Sequence, residues 1–168
     1  MTHEGKYKLV NALCFQGVWF TCIFGSDISA ISVTILFLIL HFNFSPKPFE
    51  TQLILAVGVA GFILDCLIAG FGFIEFKSKW DFPVFLLCIW IAFAATLKHS
   101  SSVFFTNTFV AAIIGLLAPL SYFAAQNMGK VVYSEPLYSS IILHALLWCV
   151  LMVIIKFSFF KKEISVNA

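Results

Sequence analysis

Six apolar runs, cut by short polar punctuation, leave this chain few ways to fold. The runs are Leu9 to Phe24, Ile28 to Phe44, Leu53 to Ile74, Phe82 to Leu97, Thr108 to Ala125 and Leu137 to Phe160. A helix needs roughly 20 apolar residues to cross the hydrocarbon of a bilayer, with a range of about 17 to 25, and only the first and fourth runs are short by that measure. The breaks carry turn residues and most of the charge: Gly25-Ser26-Asp27, Ser45-Pro46-Lys47-Pro48, Lys77 to Pro83, Lys98 to Ser102 and Gly129 to Pro136. The expectation is an all-α, polytopic membrane bundle of six transmembrane helices, about 9–24, 28–44, 53–74, 82–97, 108–125 and 137–160. Its loops are very short.

Composition agrees. The 168 residues are 61% hydrophobic and 11% charged, with a mean hydropathy of +1.02, where soluble domains carry about 25% charged residues. At roughly 100 to 200 residues per domain, the length fits one transmembrane domain over 1–168 and excludes a separate soluble one. All ten basic residues are lysines, set against eight acids for a net charge of +2. No basic block suits nucleic acid, so no nucleic-acid partner is expected. Cys14, Cys22, Cys66, Cys88 and Cys149 fall inside apolar runs without CxxC or Cys/His spacing, which indicates neither disulfides nor a zinc site. They read as small buried hydrophobes; no metal is expected.

Lysines near helix ends set orientation, because cytoplasmic loops hold the excess. Six helices put both termini on one side, with Lys6, Lys8, Lys47, Lys98, Lys161 and Lys162 there and Lys77, Lys79 and Lys130 opposite. Both termini are therefore expected in the cytoplasm. The basic start, the first apolar run and Ile28-Ser29-Ala30 loosely imitate a signal peptide, but Asn11 and Gln16 inside the run speak against one.

An ionisable side chain in hydrocarbon costs about 2.5 to 3.5 kcal/mol on translocon scales, so it normally faces the bundle interior and finds a partner. Asp65, in the run GVAGFILDCLIAGFG, is such a residue. At 100° per residue it shares a stripe with Gly58, Gly61, Ala69 and Gly72, and small-residue stripes let membrane helices approach closely. It is either a packing contact with a hydrogen-bonded carboxyl or the deepest group of a site. In the fourth run Cys88, Ala92, Ala95 and His99 share a face, with Thr96 nearby. In the fifth, Ala111, Gly115, Ala118, Tyr122 and Gln126 line up, and Pro119 removes the usual donor to the Gly115 carbonyl. That carbonyl is either a ligand or the mark of a kink. The first run offers Asn11, Gln16 and Trp19, and the last Ser140, His144 and Trp148 at i, i+4 and i+8.

Depth sorts these groups into two layers. Gln16, Asp65, Tyr122 and His144 lie toward the middle, while Asn11, Thr96, Lys98, His99 and Ser100 collect at the cytoplasmic end. His99 beside Lys98, Ser100, Ser101 and Ser102 suits either an anionic head group or an ordinary solvated helix end. His41 reads as interfacial and receives no role. HExxH, GxSxG, P-loop, dinucleotide-loop and paired-aspartate signatures do not occur. An enzyme would have to use Asp65 with His99 or His144 as acid and base; no cofactor is indicated.

The strings NALCFQGVWF, LDCLIAGFG, WIAFAATLKHSS and APLSYFAAQNMG resemble, in order and across nearly the whole chain, an uncharacterised bacterial inner-membrane family known as the domain of unknown function number 2878. The family pattern falls on Asn11, Phe15, Gln16, Trp19 and Phe20; on Leu64 and Asp65; on Phe93, Ala94, Thr96, Leu97, His99 and Ser100; and on Pro119, Leu120, Ser121 and Tyr122. The position before the histidine, often asparagine in the family, is Lys98 here. The resemblance implies a small multi-pass protein of the inner membrane. Its gene neighbourhoods, with flavin-dependent oxidoreductases and methyltransferases similar to cyclopropane fatty acid synthases, imply membrane lipid metabolism and a lipid-modifying enzyme as partner.

The resulting expectation is a polar intramembrane cavity that binds a lipid or isoprenoid-like molecule through Asn11, Gln16, Trp19, Asp65, Thr96, His99, Ser100, Ser121 and Tyr122. A small proton-linked transporter using Asp65 as its carboxylate and Pro119 as a hinge, and a non-catalytic assembly partner of a membrane enzyme, are the alternatives.

Overall fold

A computed structural model describes residues 3–44, 48–78, 80 and 82–160. Lys47, Lys79, Lys161 and Lys162, used above for orientation, lie outside the described residues. The chain is built of helices α1 (His3–Phe24), α2 (Asp27–Phe44), α3 (Glu50–Gly70), α4 (Val84–Ala94), α5 (Thr108–Leu117), α6 (Pro119–Asn127) and α7 (Leu137–Phe159), with a short 3-10 turn at Ser102–Phe105. Among the described residues, three stretches are long and apolar enough to cross a membrane: Glu50–Gly70, Thr108–Asn127 and Leu137–Phe159.

The chain is predominantly helical, as expected, with one small addition. Strands β1 (Ile74–Phe76) and β2 (Val131–Tyr133) form a two-stranded antiparallel ladder with Ile74 opposite Tyr133 and Phe76 opposite Val131. The cause is local and occurs twice. Gly72 and Gly129 take positive φ angles of 80° and 76°, the left-handed conformation glycine adopts without steric cost. The helix ends close over them through Phe73 N–H to Ile68 O at 3.1 Å and Lys130 N–H to Ala125 O at 3.0 Å; such six-to-one bonds mark a Schellman stop. Each stop delivers the chain to a triplet dominated by β-branched and aromatic residues, Ile74 and Phe76 in one and Val131, Val132 and Tyr133 in the other, which favour extended backbone. The ladder therefore fastens the end of α3 to the end of α6.

Other boundaries move as well. α1 begins six residues before the apolar run, and α3 stops at Gly70, so Gly72 leaves the proposed stripe. α4 ends at Ala94, and Ala95 to Ser101 continue in turns that keep Ala95, Thr96, Leu97 and His99 buried. The Gly115 carbonyl is not free: Ala118 N–H donates to it at 3.1 Å. Pro119 thus produces a kink between α5 and α6, with the lost i+4 bond replaced by an i+3 bond.

Packing runs along small residues, as expected of helices in lipid. α4 packs against α1, α2 and α3, while α5 lies along α7. Gly58 faces Ile91 of α4 and Gly61 faces the Trp90 ring; a Cβ at Gly61 would sit 2.2 Å from Trp90 Cε3. A Cβ at Gly115 would come within 2.5 Å of the Cys149 Cα. Gly17, by contrast, has open space around it. Gly61→Ala and Gly115→Ala are each expected to destabilise the protein by about 1–3 kcal/mol through overpacking, while Gly17→Ala leaves it unchanged or slightly stabilised. Thermal unfolding of the three variants in one detergent checks this, and equal melting temperatures would refute the close-packing account.

Candidate functional site

Asp65 sits five residues before the end of α3, and Tyr122 five before the end of α6. Because the ladder joins those two ends, the residues meet. The Asp65 side chain is completely buried. Its Oδ2 accepts from Trp90 Nε1 of α4 at 2.7 Å and from Tyr122 Oη of α6. Its Oδ1 accepts from Trp148 Nε1 of α7 at 3.3 Å. The two indoles stack with centroids 4.5 Å apart. Three donors on one carboxylate compensate much of its lost hydration, since hydrogen bonds to a charged acceptor are roughly twice as strong as neutral ones.

His144 completes this cluster from α7. Its Nε2 lies 3.4 Å from Asp65 Oδ1 without hydrogen-bond geometry, and its Nδ1 lies 2.8 Å from Tyr133 Oη. Burial, and then the nearby Asp65 charge, hold the Tyr133 phenol above its ordinary range, so it stays protonated and able to donate to Nδ1. Ser140, one turn before His144, is also buried and donates to Ser134 O at 3.0 Å. The Ser140, His144 and Trp148 flank read from the sequence is thus one buried face.

A second polar cluster lies at the opposite end of α3. Glu50, the first residue of that helix, follows Phe49, a non-glycine residue with φ of 56°. Glu50 Oε1 lies 2.7 Å from His99 Nε2 and 3.1 Å from His41 Nε2. All three side chains are nearly inaccessible, at 1%, 2% and 0% exposure. His41 Nδ1 faces Tyr7 Oη at 3.2 Å and Asn11 Nδ2 at 3.4 Å. Asn11 Oδ1 accepts from Ser100 Oγ at 2.6 Å. Thr96 Oγ1 donates to Phe93 O at 2.7 Å and pairs with the Ser101 hydroxyl at 2.8 Å, while Lys98 Nζ donates to Pro48 O. The expected cytoplasmic layer of Asn11, Thr96, Lys98, His99 and Ser100 is therefore gathered at one end.

Asp65 and His99 do not share a site. Glu50, which holds His99, is 15 residues from Asp65 on α3, or roughly 22 Å at 1.5 Å per residue. Sequence reading missed Glu50 altogether and passed over His41. The available signal was a carboxylate beside a proline-rich break, with a histidine nine residues earlier.

The remaining expected residues line a groove. A cavity of about 480 Å³ runs between α1, α4, α5, α6 and α7, with Gln16, Trp19, Ser121, Tyr122, Phe15 and Phe93 among its walls. Trp90, Tyr122 and Trp148 both bound this cavity and hydrogen-bond Asp65. Asp65 itself is behind them. Gln16 stands apart from the Asp65 cluster, and Ser121 Oγ donates to Ala118 O at 2.8 Å.

An asparagine at position 65 would offer one acceptor oxygen and turn an NH₂ toward a donor. Asp65→Asn should cost about 1–3 kcal/mol for each buried donor left unpaired, and Tyr122→Phe, which leaves the carboxylate its two indoles, should cost less. Chemical or thermal unfolding in detergent reads the order; an Asp65→Asn variant as stable as the parent would overturn the structural role of the carboxylate.

Neither a curated protein nor a solved structure matches the chain. A family model described as protein of unknown function (DUF2878) matches residues 8–154, a span that takes in Asp65, both histidines of the second cluster and the groove. The chain belongs to the DUF2878 family.

Proposed function

We propose that this chain is a six-span protein of the bacterial inner membrane, with both termini in the cytoplasm, that holds a lipid or isoprenoid-like molecule in its groove in support of membrane lipid metabolism. The groove carries the reading. Its volume of about 480 Å³ falls in the range of small-molecule sites, which are mostly apolar with a few placed polar groups. Here the walls are largely aromatic and aliphatic, with Gln16 and Ser121 as the polar groups able to orient a head or hydroxyl. The expected ligand set narrows accordingly to Gln16, Trp19, Ser121 and Tyr122. The transporter alternative gains nothing, because it needs Asp65 within reach of a substrate or proton path and its side chain is fully buried.

The contacts support the six-span topology. The end of α2, the start of α3 and the early part of α1 meet around His41, Glu50 and Tyr7. At the same end of the chain's alternation, Lys156 near the end of α7 donates to Phe105 O at 2.5 Å. The ends of α3 and α6 meet instead at the ladder. A fluorescent protein fused to the C-terminus is expected to fluoresce, and alkaline phosphatase fused after Ser78 to be active; an active phosphatase at the C-terminus would overturn the orientation.

For the ligand, the wild type is compared by native mass spectrometry with Gln16→Trp and Ser121→Trp, which place an indole into the groove from exposed positions. The expectation is an apolar adduct retained by the wild type and reduced at least about tenfold in both variants, the loss that about 1.4 kcal/mol of binding energy produces. Identical adducts in all three proteins would remove the groove from consideration.

A further inference from the structure

The structure assigns a second, separate property to the other end of the bundle: we propose that His41, Glu50 and His99 form a site for a divalent first-row transition metal ion. The three donors come from different elements, the last turn of α2, the first residue of α3 and the buried turn after α4. His41 Nε2, Glu50 Oε1 and His99 Nε2 all lie within 4.8 Å of one another. Metal bonds of about 2.0–2.2 Å to imidazole and carboxylate need donors roughly 3.3 Å apart in a tetrahedral shell. The carboxylate oxygen is 3.1 and 2.7 Å from the two nitrogens, so those two pairs need to open by no more than about half an ångström.

Hydrogen bonding alone does not account for the cluster. Both imidazoles turn Nε2 toward the same oxygen, and only His99 makes a hydrogen bond with it. His41 Nε2 is buried and, although 3.1 Å from Oε1, has no hydrogen-bond partner among the described residues. Such an atom calls for a specific explanation, an ion among them. A cation seated between the three donors would give that nitrogen a bond.

The surroundings fit. Ligating histidines usually donate the far ring N–H to an acceptor, which fixes the tautomer and raises the basicity of the ligating nitrogen. The Tyr7 hydroxyl donates to His41 O at 3.3 Å, leaving its oxygen, 3.2 Å from His41 Nδ1, to accept that proton. Tyr7 is thus a positioning residue. A cavity of about 300 Å³ lined by Tyr7, Asn11, His41 and Lys6 borders the cluster on its His41 side. Two imidazoles and one carboxylate select Zn²⁺ or Fe²⁺ over the hard ions Mg²⁺ and Ca²⁺, which prefer all-oxygen shells. Three protein ligands leave at least one coordination position for water or an exogenous ligand.

The test uses the full chain, purified in detergent without metal-affinity steps, stripped with chelator and reloaded anaerobically with Zn²⁺, Fe²⁺ or Co²⁺. Elemental analysis is expected to give about one ion per chain, and the Co²⁺ form a visible ligand-field spectrum. Glu50→Gln and His99→Gln should lose the ion. Because those variants could also unfold, Tyr7→Phe provides an independent reading: it should remain folded by circular dichroism and bind on the order of tenfold to a hundredfold more weakly. Chelator should also lower the melting temperature of the wild type. A folded wild type that takes up less than about a tenth of an equivalent of every ion offered, with a melting point indifferent to chelator, overturns the proposal. So does a Glu50→Gln variant that binds as the parent does.

Discussion

The hydrogen bonding of one buried carboxylate organises this bundle. Asp65 brings a carboxyl group into a region where an unsatisfied polar group costs several kcal/mol, and its donors are supplied by Trp90, Tyr122 and Trp148 from three other helices. α4, α6 and α7 must all approach α3 at this level. Gly61 makes the approach of α4 sterically feasible, and Gly115 lets α5 lie close enough to α7 for the helix carrying Trp148 to be held in place. The ladder between β1 and β2 adds a register, bringing the last turns of α3 and α6 side by side.

The two polar clusters on α3 differ in kind. Around Asp65 the carboxylate has three donors, and the aromatic side chains that supply them also wall off the groove. Around Glu50 two imidazoles converge on one oxygen and one of their nitrogens is left without a hydrogen bond among the described residues. The first cluster is arranged like a fastening. The second has the chemistry of a binding site, with a cavity bordering it on the His41 side.

Much of the fold was legible in the sequence because membrane helices announce themselves by length and apolarity. The inward direction of Asp65, the gathering of Asn11 with His99 and Ser100, and the Ser140, His144 and Trp148 face all follow from helical periodicity plus the cost of burying polar groups. Three features were hidden for physical reasons. The strands are only three residues long and occupy what reads as a loop, where their pairing partner is more than fifty residues away. The end of α4 at Ala94 carries no proline or glycine, and is set by tertiary bonds such as Ser100 to Asn11. Glu50 looks like an ordinary acid in the first turn of a helix, stabilising there by charge alone; its histidine neighbours are brought to it by two other segments of chain. The idea of one site joining Asp65 and His99 failed because α3 separates the two levels.

The brevity of α4 bears on how the protein is made. Eleven helical residues rise about 16 Å, well short of a hydrocarbon layer about 30 Å thick. On the six-span reading, the crossing is finished by turns whose backbone groups acyl chains cannot satisfy. α4, which leads into that stretch, packs against α1, α2 and α3, and Ala94 to Leu97 have no exposed surface. All three precede α4 in the chain, so translation from the N-terminus delivers these helices to the membrane before the segment that needs them.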